Sequence, residues 1–225
     1  MTHALLLVGS PRGKRSTSTS VGRYLMNSLE QKGIDTEILW INRQVVSDER
    51  LDEMLDAVDH ADIVILTAPL YDDCQPAIVT KTMEAIAAQQ KFIEKKRFFP
   101  IINCGFPEPE QITAVAISIY HKFAISVGFK WAGSLAIGGG EILQGSAGKS
   151  LDDLGKIAGK VKKSLDEIAQ ALAAKNSYPD KSLRAVPGFF YWRFFAKIMT
   201  RLNNFSWKSR AKKNGGVVDA RPYSQ

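Results

Sequence analysis

Apolar and polar positions alternate along the chain in two rhythms. Residues 4–8, Ala-Leu-Leu-Leu-Val, form an unbroken apolar run that stops at Gly9-Ser10-Pro11. Hydroxyl residues from Ser16 to Ser20 then lead into Val21, Tyr24, Leu25 and Leu29, spaced as one face of a helix. The pattern is that of a buried strand delivering the chain through a turn to a helix N-terminus, with the helix ending near Lys32-Gly33. The rhythm then repeats. Residues 36–41 read as a second strand, and Leu51, Met54, Leu55 and Val58 place a helix over 48–60. Residues 62–67 are a continuous apolar run of the kind found in a parallel sheet covered on both faces. A helix over 77–90, a strand over 98–104, a helix over 111–127, a strand over 131–137 and a long helix over 151–174 complete the series. Five strands alternating with five helices predict an α/β fold, a doubly wound five-stranded parallel sheet occupying residues 1–176. Residues 177–225 then form a C-terminal helical extension, basic and rich in aromatic side chains.

Composition narrows the class without choosing a function. With 225 residues, 45% hydrophobic and 24% charged, the chain is that of a globular protein with one substantial core. No apolar stretch approaches the roughly 18 residues of a membrane span, and the N-terminus enters its first strand without the signature of a signal peptide. The expectation is a cytoplasmic protein. Two cysteines, Cys74 and Cys104, exclude a disulfide framework and a clustered metal site, and His3, His60 and His121 lack ligand spacing. The net charge of +7 is uneven: residues 1–180 hold 20 Lys and Arg against 22 Asp and Glu, residues 181–225 hold 10 against 1. The body therefore has no reason to bind nucleic acid.

The first turn carries the candidate chemistry. Helix N-termini present backbone N–H groups without intrahelical acceptors and a partial positive charge, which suits an anion. Arg12 and the hydroxyls of Ser10, Ser16, Thr17 and Ser18 add donors fit for a terminal phosphate. A Walker A loop is excluded, because Gly9 and Gly13 are separated by three residues and Lys14 is followed by Arg15. Gly148-Lys149-Ser150 fails as well, with Leu143 at the first-glycine position, and no dinucleotide-binding glycine fingerprint follows the first strand. In a doubly wound sheet, ligands sit beyond the C-terminal strand ends where strand order reverses, between the first and third strands. The loop after the third strand is Pro69-Leu70-Tyr71-Asp72-Asp73-Cys74-Gln75-Pro76; its prolines stiffen it, and Tyr71 can stack on a planar ring.

Gly9-Ser10-Pro11-Arg12 with Ser16-Thr17-Ser18, then Pro69-Leu70-Tyr71, then Asn103-Cys104-Gly105-Phe106, each at a strand's C-terminal end, resemble the flavodoxin-like NAD(P)H-dependent FMN reductase family over about residues 4–174. The chain departs from that family's commonest loop by carrying three residues, Gly13 to Arg15, between the arginine and the hydroxyl cluster. The resemblance implies strand order 2-1-3-4-5 and FMN as cofactor, with NADH or NADPH as co-substrate. It further implies that Ser10, Arg12, Ser16, Thr17 and Ser18 hold phosphate, that Pro69, Leu70, Tyr71 and Asp72 support the flavin, and that Asn103, Cys104, Gly105 and Phe106 cover its far edge. Related flavoproteins use the loop corresponding to Gly138-Gly139-Gly140-Glu141 at the flavin edge or in a dimer contact. The activity implied is hydride transfer from NAD(P)H to flavin N5 and onward transfer to a quinone, free flavin or similar acceptor. No catalytic acid or base is required of the protein. Cys104 reads as a core thiol, and Cys74 as a more exposed one with a possible redox role. The alternatives are an electron carrier resembling flavodoxin, which never meets a pyridine nucleotide, and a membrane-docked interaction module with a vestigial site.

The extension carries a second pattern. Arg193, Lys197 and Arg201 recur every fourth residue, while Phe190, Phe194, Phe195, Ile198, Met199, Leu202 and Phe205 cover much of the remaining circumference. Such a helix wants a partner: the body of the chain, a second subunit of a homodimer or higher homo-oligomer, or a membrane surface contacted peripherally.

Overall fold

The strands predicted from apolar runs assemble into one parallel sheet. In the computed structural model, β1 (His3–Val8) lies between β2 (Asp35–Trp40) and β3 (Ile63–Pro69), and β3 pairs with β4 (Arg97–Asn103). The structure describes residues 2–89, 96–105, 115–143, 148–176, 183–185 and 192–217. Beyond β4 the predicted fifth strand is two short pieces, β5 (Lys130–Trp131) and β6 (Leu135–Ile137), interrupted at Ala132-Gly133-Ser134; both pair with β4. The five expected positions thus hold the order 2-1-3-4-5 of a flavodoxin-like fold. A further short strand, β7 (Leu183–Ala185), pairs with β6, so the sheet runs on past residue 176.

Helices cover both faces. On one side lie α1 (Thr17–Glu30) and α6 (Gly159–Ala173); on the other lie α3 (Asp48–His60), α4 (Ala77–Ala88) and α5 (Ile117–Ser126). A four-residue helix, α2 (Ile41–Gln44), precedes α3. The period-two geometry of β1 divides its side chains between the two cores. Ala4, Leu6 and Val8 join Val21, Leu25, Val161 and Leu165, whereas Leu5 and Leu7 join Met54, Val79, Ile86 and Tyr120. All of these are at most 1% exposed, which is why β1 reads as an uninterrupted apolar run.

The long helix expected over 151–174 is broken. A short 3-10 segment (Asp152–Ile157) precedes α6, and inside it Gly155 adopts φ 50° and ψ −126°, a conformation outside any helix that glycine tolerates. The helix expected over 111–127 is seen as α5, reached through a wider turn at residues 115–116; positions 111–114 lie outside the described residues.

By internal packing the chain forms two compact units, Met1–Gly188 and Phe189–Gln225. The second contains α7 (Trp192–Lys213), a helix without an acidic residue and with Arg210, Lys212 and Lys213 in its last turn. Among the described residues no helix is long and apolar enough to cross a membrane.

Candidate functional site

Strand register brings the loops to one level. Val8 is paired with Thr67, Pro69 with Asn103, and Asn103 with Ile137, so the chain leaves β1, β3, β4 and β6 at the same edge of the sheet. A cleft of about 100 Å³ opens there, lined by Ser10, Arg12, Ser16, Thr17, Ser18, Pro69, Leu70, Tyr71, Asn103, Gly105 and Glu141. Ten of these are residues the sequence puts forward; Glu141 is the addition. Its loop was legible as a run of glycines after the fifth strand, but nothing in the sequence marks the carboxylate itself.

Main-chain hydrogen bonds knit the loops together. The Leu70 N–H donates to the Asn103 carbonyl (2.8 Å), Cys104 N–H to Ile137 (2.9 Å) and Gly140 N–H to Cys104 (2.7 Å). At position 140 a Cβ would stand 3.0 Å from the Cys104 carbonyl oxygen and 3.1 Å from Asn103 Nδ2, so any side chain there would push the two loops apart by a few tenths of an ångström. Side chains of α1 add to this lattice. Ser18 Oγ donates to Asn103 Oδ1 (2.8 Å), and Thr17 Oγ1 donates to the Gly140 carbonyl (3.0 Å). Ser16 is the N-cap: its hydroxyl accepts from the Thr19 N–H (3.2 Å) and donates to the Gly13 carbonyl (2.8 Å).

A hydroxyl has one hydrogen to give. Those of Ser16, Thr17 and Ser18 are each directed at a protein acceptor, so these three line the cleft without offering it a hydroxyl proton. What remains for an anion is a different donor set. It comprises the Thr17 and Ser18 backbone N–H groups in the first turn of a 14-residue helix, the Ser10 hydroxyl, and the Arg12 guanidinium. No acidic residue sits in that first turn to oppose it. Arg12 Nη1 lies 3.7 Å from Glu141 Oε1 across the cleft, with both side chains more than half exposed. This donor set, two backbone N–H groups, one hydroxyl and one guanidinium, fits a phosphate monoester.

The second loop forms a platform. Tyr71 and Cys74 exchange backbone hydrogen bonds (2.9 and 3.2 Å) around Asp72, whose φ of 53° closes the turn. Tyr71 is left 46% exposed at the mouth of the cleft. Asp72 is exposed and does not line the cleft; neither does Cys104, whose side chain is buried in the core. Phe106 lies outside the described residues. Cys74 is exposed. Beneath this loop the Tyr120 hydroxyl is fully buried without a hydrogen-bond partner, and burial, reinforced by Cys74, pushes it far above the ordinary tyrosine range. It stays neutral and is no candidate for acid or base work. Among the described residues no group of His, Cys, Asp and Glu is placed to hold a metal ion.

The comparisons with known proteins meet this geometry. Structurally the chain is similar to an NADH:FMN oxidoreductase (TM-score 0.58, 18% identity, covering 81% of this chain and 95% of that one). It is similar also to an FMN-dependent NADH-azoreductase from Bacillus anthracis solved with FMN (0.55, 14%, 77% and 100%) and to a flavodoxin from Streptococcus pneumoniae (0.53, 16%, 77% and 99%). At these identities the likeness establishes the fold. No curated protein sequence matches the chain. Residues 2–105 match the family model described as NADPH-dependent FMN reductase, a span containing three of the cleft's four loops.

Proposed function

We propose that the protein is an FMN-dependent oxidoreductase that takes electrons from NADH or NADPH and passes them to a small acceptor such as a quinone or free flavin. The observation that carries the reading is the donor set at the first turn of α1. Ser10, Arg12 and the Thr17 and Ser18 N–H groups hold the phosphate of FMN. Tyr71, Leu70 and Pro69 support the ring system, while Asn103 and Gly105 close its far side. Ser16, Thr17 and Ser18 act through the lattice they build, holding those donors in place before the cofactor arrives. When bound, FMN supplies hydride acceptance at N5 from nicotinamide C4, and the protein binds, orients and shields it. That division of labour agrees with a cleft whose described residues include no His and one carboxylate, Glu141, which is ion-paired.

The cleft of about 100 Å³ is smaller than the roughly 300–1,000 Å³ of pockets that bury a whole ligand. It suits the phosphate end, and it leaves the ring lying open beside Tyr71. A second subunit that covers the open face is the assembly we favour, a homodimer or higher homo-oligomer. The test is retention of FMN by the purified protein after desalting, followed by oxidation of NADH or NADPH with a quinone present. Retained FMN with steady oxidation is the expected result. Failure to retain FMN or to quench its fluorescence overturns the proposal, and retained FMN without oxidation leaves a flavodoxin-like electron carrier.

A further inference from the structure

The helix α7 has no role in the reading above, and its surface is unlike that of a helix at rest in water. Within it Ile198, Leu202 and Phe205, at positions i, i+4 and i+7, are 39%, 56% and 75% exposed. Positions so spaced form one strip along a helix. Exposed cations border that strip on both sides: Arg201, Lys208 and Lys212 on one flank, Lys213 on the other. The whole of residues 192–213 contains seven Lys and Arg and no Asp or Glu.

We propose that α7 is a docking element for an anionic lipid surface, lying in the plane of the interface with Ile198, Leu202 and Phe205 among the acyl chains. Bordering cations on long side chains can reach outward to lipid headgroups while their stems stay against apolar surface. Such a helix is bound by apolar burial and by attraction to anionic headgroups together, each weak alone. Charge complementarity selects this occupant over a second copy of the chain, because residues 1–180 are nearly balanced, with 20 basic and 22 acidic residues. It also selects lipid over nucleic acid, since the cations flank an apolar strip instead of forming a continuous basic face. The proposal stands independently of the flavin site.

Co-sedimentation of the full chain with phosphatidylcholine vesicles, with and without phosphatidylserine, tests it. The wild type is expected to bind the anionic vesicles at least about tenfold more tightly, with binding that weakens as salt rises. The double variant Leu202→Asp/Phe205→Asp is expected to lose most of that binding, and the milder Lys208→Gln and Lys212→Gln to lose roughly fivefold each. Far-UV circular dichroism shows whether each variant keeps its helices, and the salt response of the wild type needs no variant. Binding that is equal on neutral and anionic vesicles and indifferent to salt overturns the proposal. So does a wild-type oligomer that Leu202→Asp/Phe205→Asp dissolves without affecting sedimentation with lipid, which would assign the strip to a second copy. Tighter binding to single-stranded RNA than to anionic vesicles, unaffected by the aspartates, would assign the cations to nucleic acid.

Discussion

Two helices of this chain begin from opposite kinds of residue and meet opposite ends. The first turn of α1 is rich in hydroxyls, and the structure directs those of Ser16, Thr17 and Ser18 at protein acceptors on Gly13, Gly140 and Asn103. In α7, by contrast, the strip of Ile198, Leu202 and Phe205 is exposed. Polar groups that look like ligand contacts are committed to architecture, and apolar groups that look like core face water. Hydroxyl-rich sequence therefore marks where a binding loop is braced, while an uncovered apolar strip beside cations marks where something outside the fold has to be supplied.

Substitutions can break that contrast. The largest effect is expected at Arg12, whose guanidinium faces the cleft and whose only ion pair among the described residues, with Glu141, is exposed. Arg12→Ala should weaken FMN binding by about tenfold, ~1.4 kcal/mol, the range of a charge-assisted hydrogen bond at a partly exposed site. Fluorescence titration of FMN measures it, with urea unfolding expected to be unchanged. A smaller effect of opposite character is expected at Ser16. Ser16→Ala removes the N-cap and should cost about 1 kcal/mol of stability, with FMN affinity shifting by less than about twofold. Loss of affinity without loss of stability would mean that the Ser16 hydroxyl serves the ligand after all. The smallest effect is expected at Leu202, 56% exposed. Leu202→Ser should leave thermal unfolding in lipid-free buffer within about 0.5 kcal/mol of wild type. A larger loss would show that α7 is already packed against something in solution.

How much was legible depended on how local the cause was. The boundaries of α3, residues 48–60, follow from the spacing of Met54, Leu55 and Val58, with Ser47 as its cap. The run 62–67 is β3 within two residues, because a strand buried on both faces needs apolar residues at every position. Residues 151–174 misled the periodicity. Leu154 is buried and fits the helical spacing, yet Gly155 breaks the segment, and a hydrophobic stripe carries no information about a single residue's φ. The short β7 was illegible for a different reason: three residues have no period to read, and the strand exists because β6 offers an edge to pair with. In the cleft the residue types were legible and Glu141 was not, since its position beside Arg12 follows from the close approach that Gly140 permits.

By itself the sequence determined the alternation of strands and helices, the three loops at strand ends, and the division of charge between residues 1–180 and 181–225. Those are properties of neighbours within a turn or two of one another, and local burial patterns encode them. Only the tertiary structure decided which donors the cleft keeps. The acceptors that take the protons of Ser18 and Thr17 lie 85 and 123 residues further along the chain, and sequence spacing holds no record of which distant carbonyl a hydroxyl will meet.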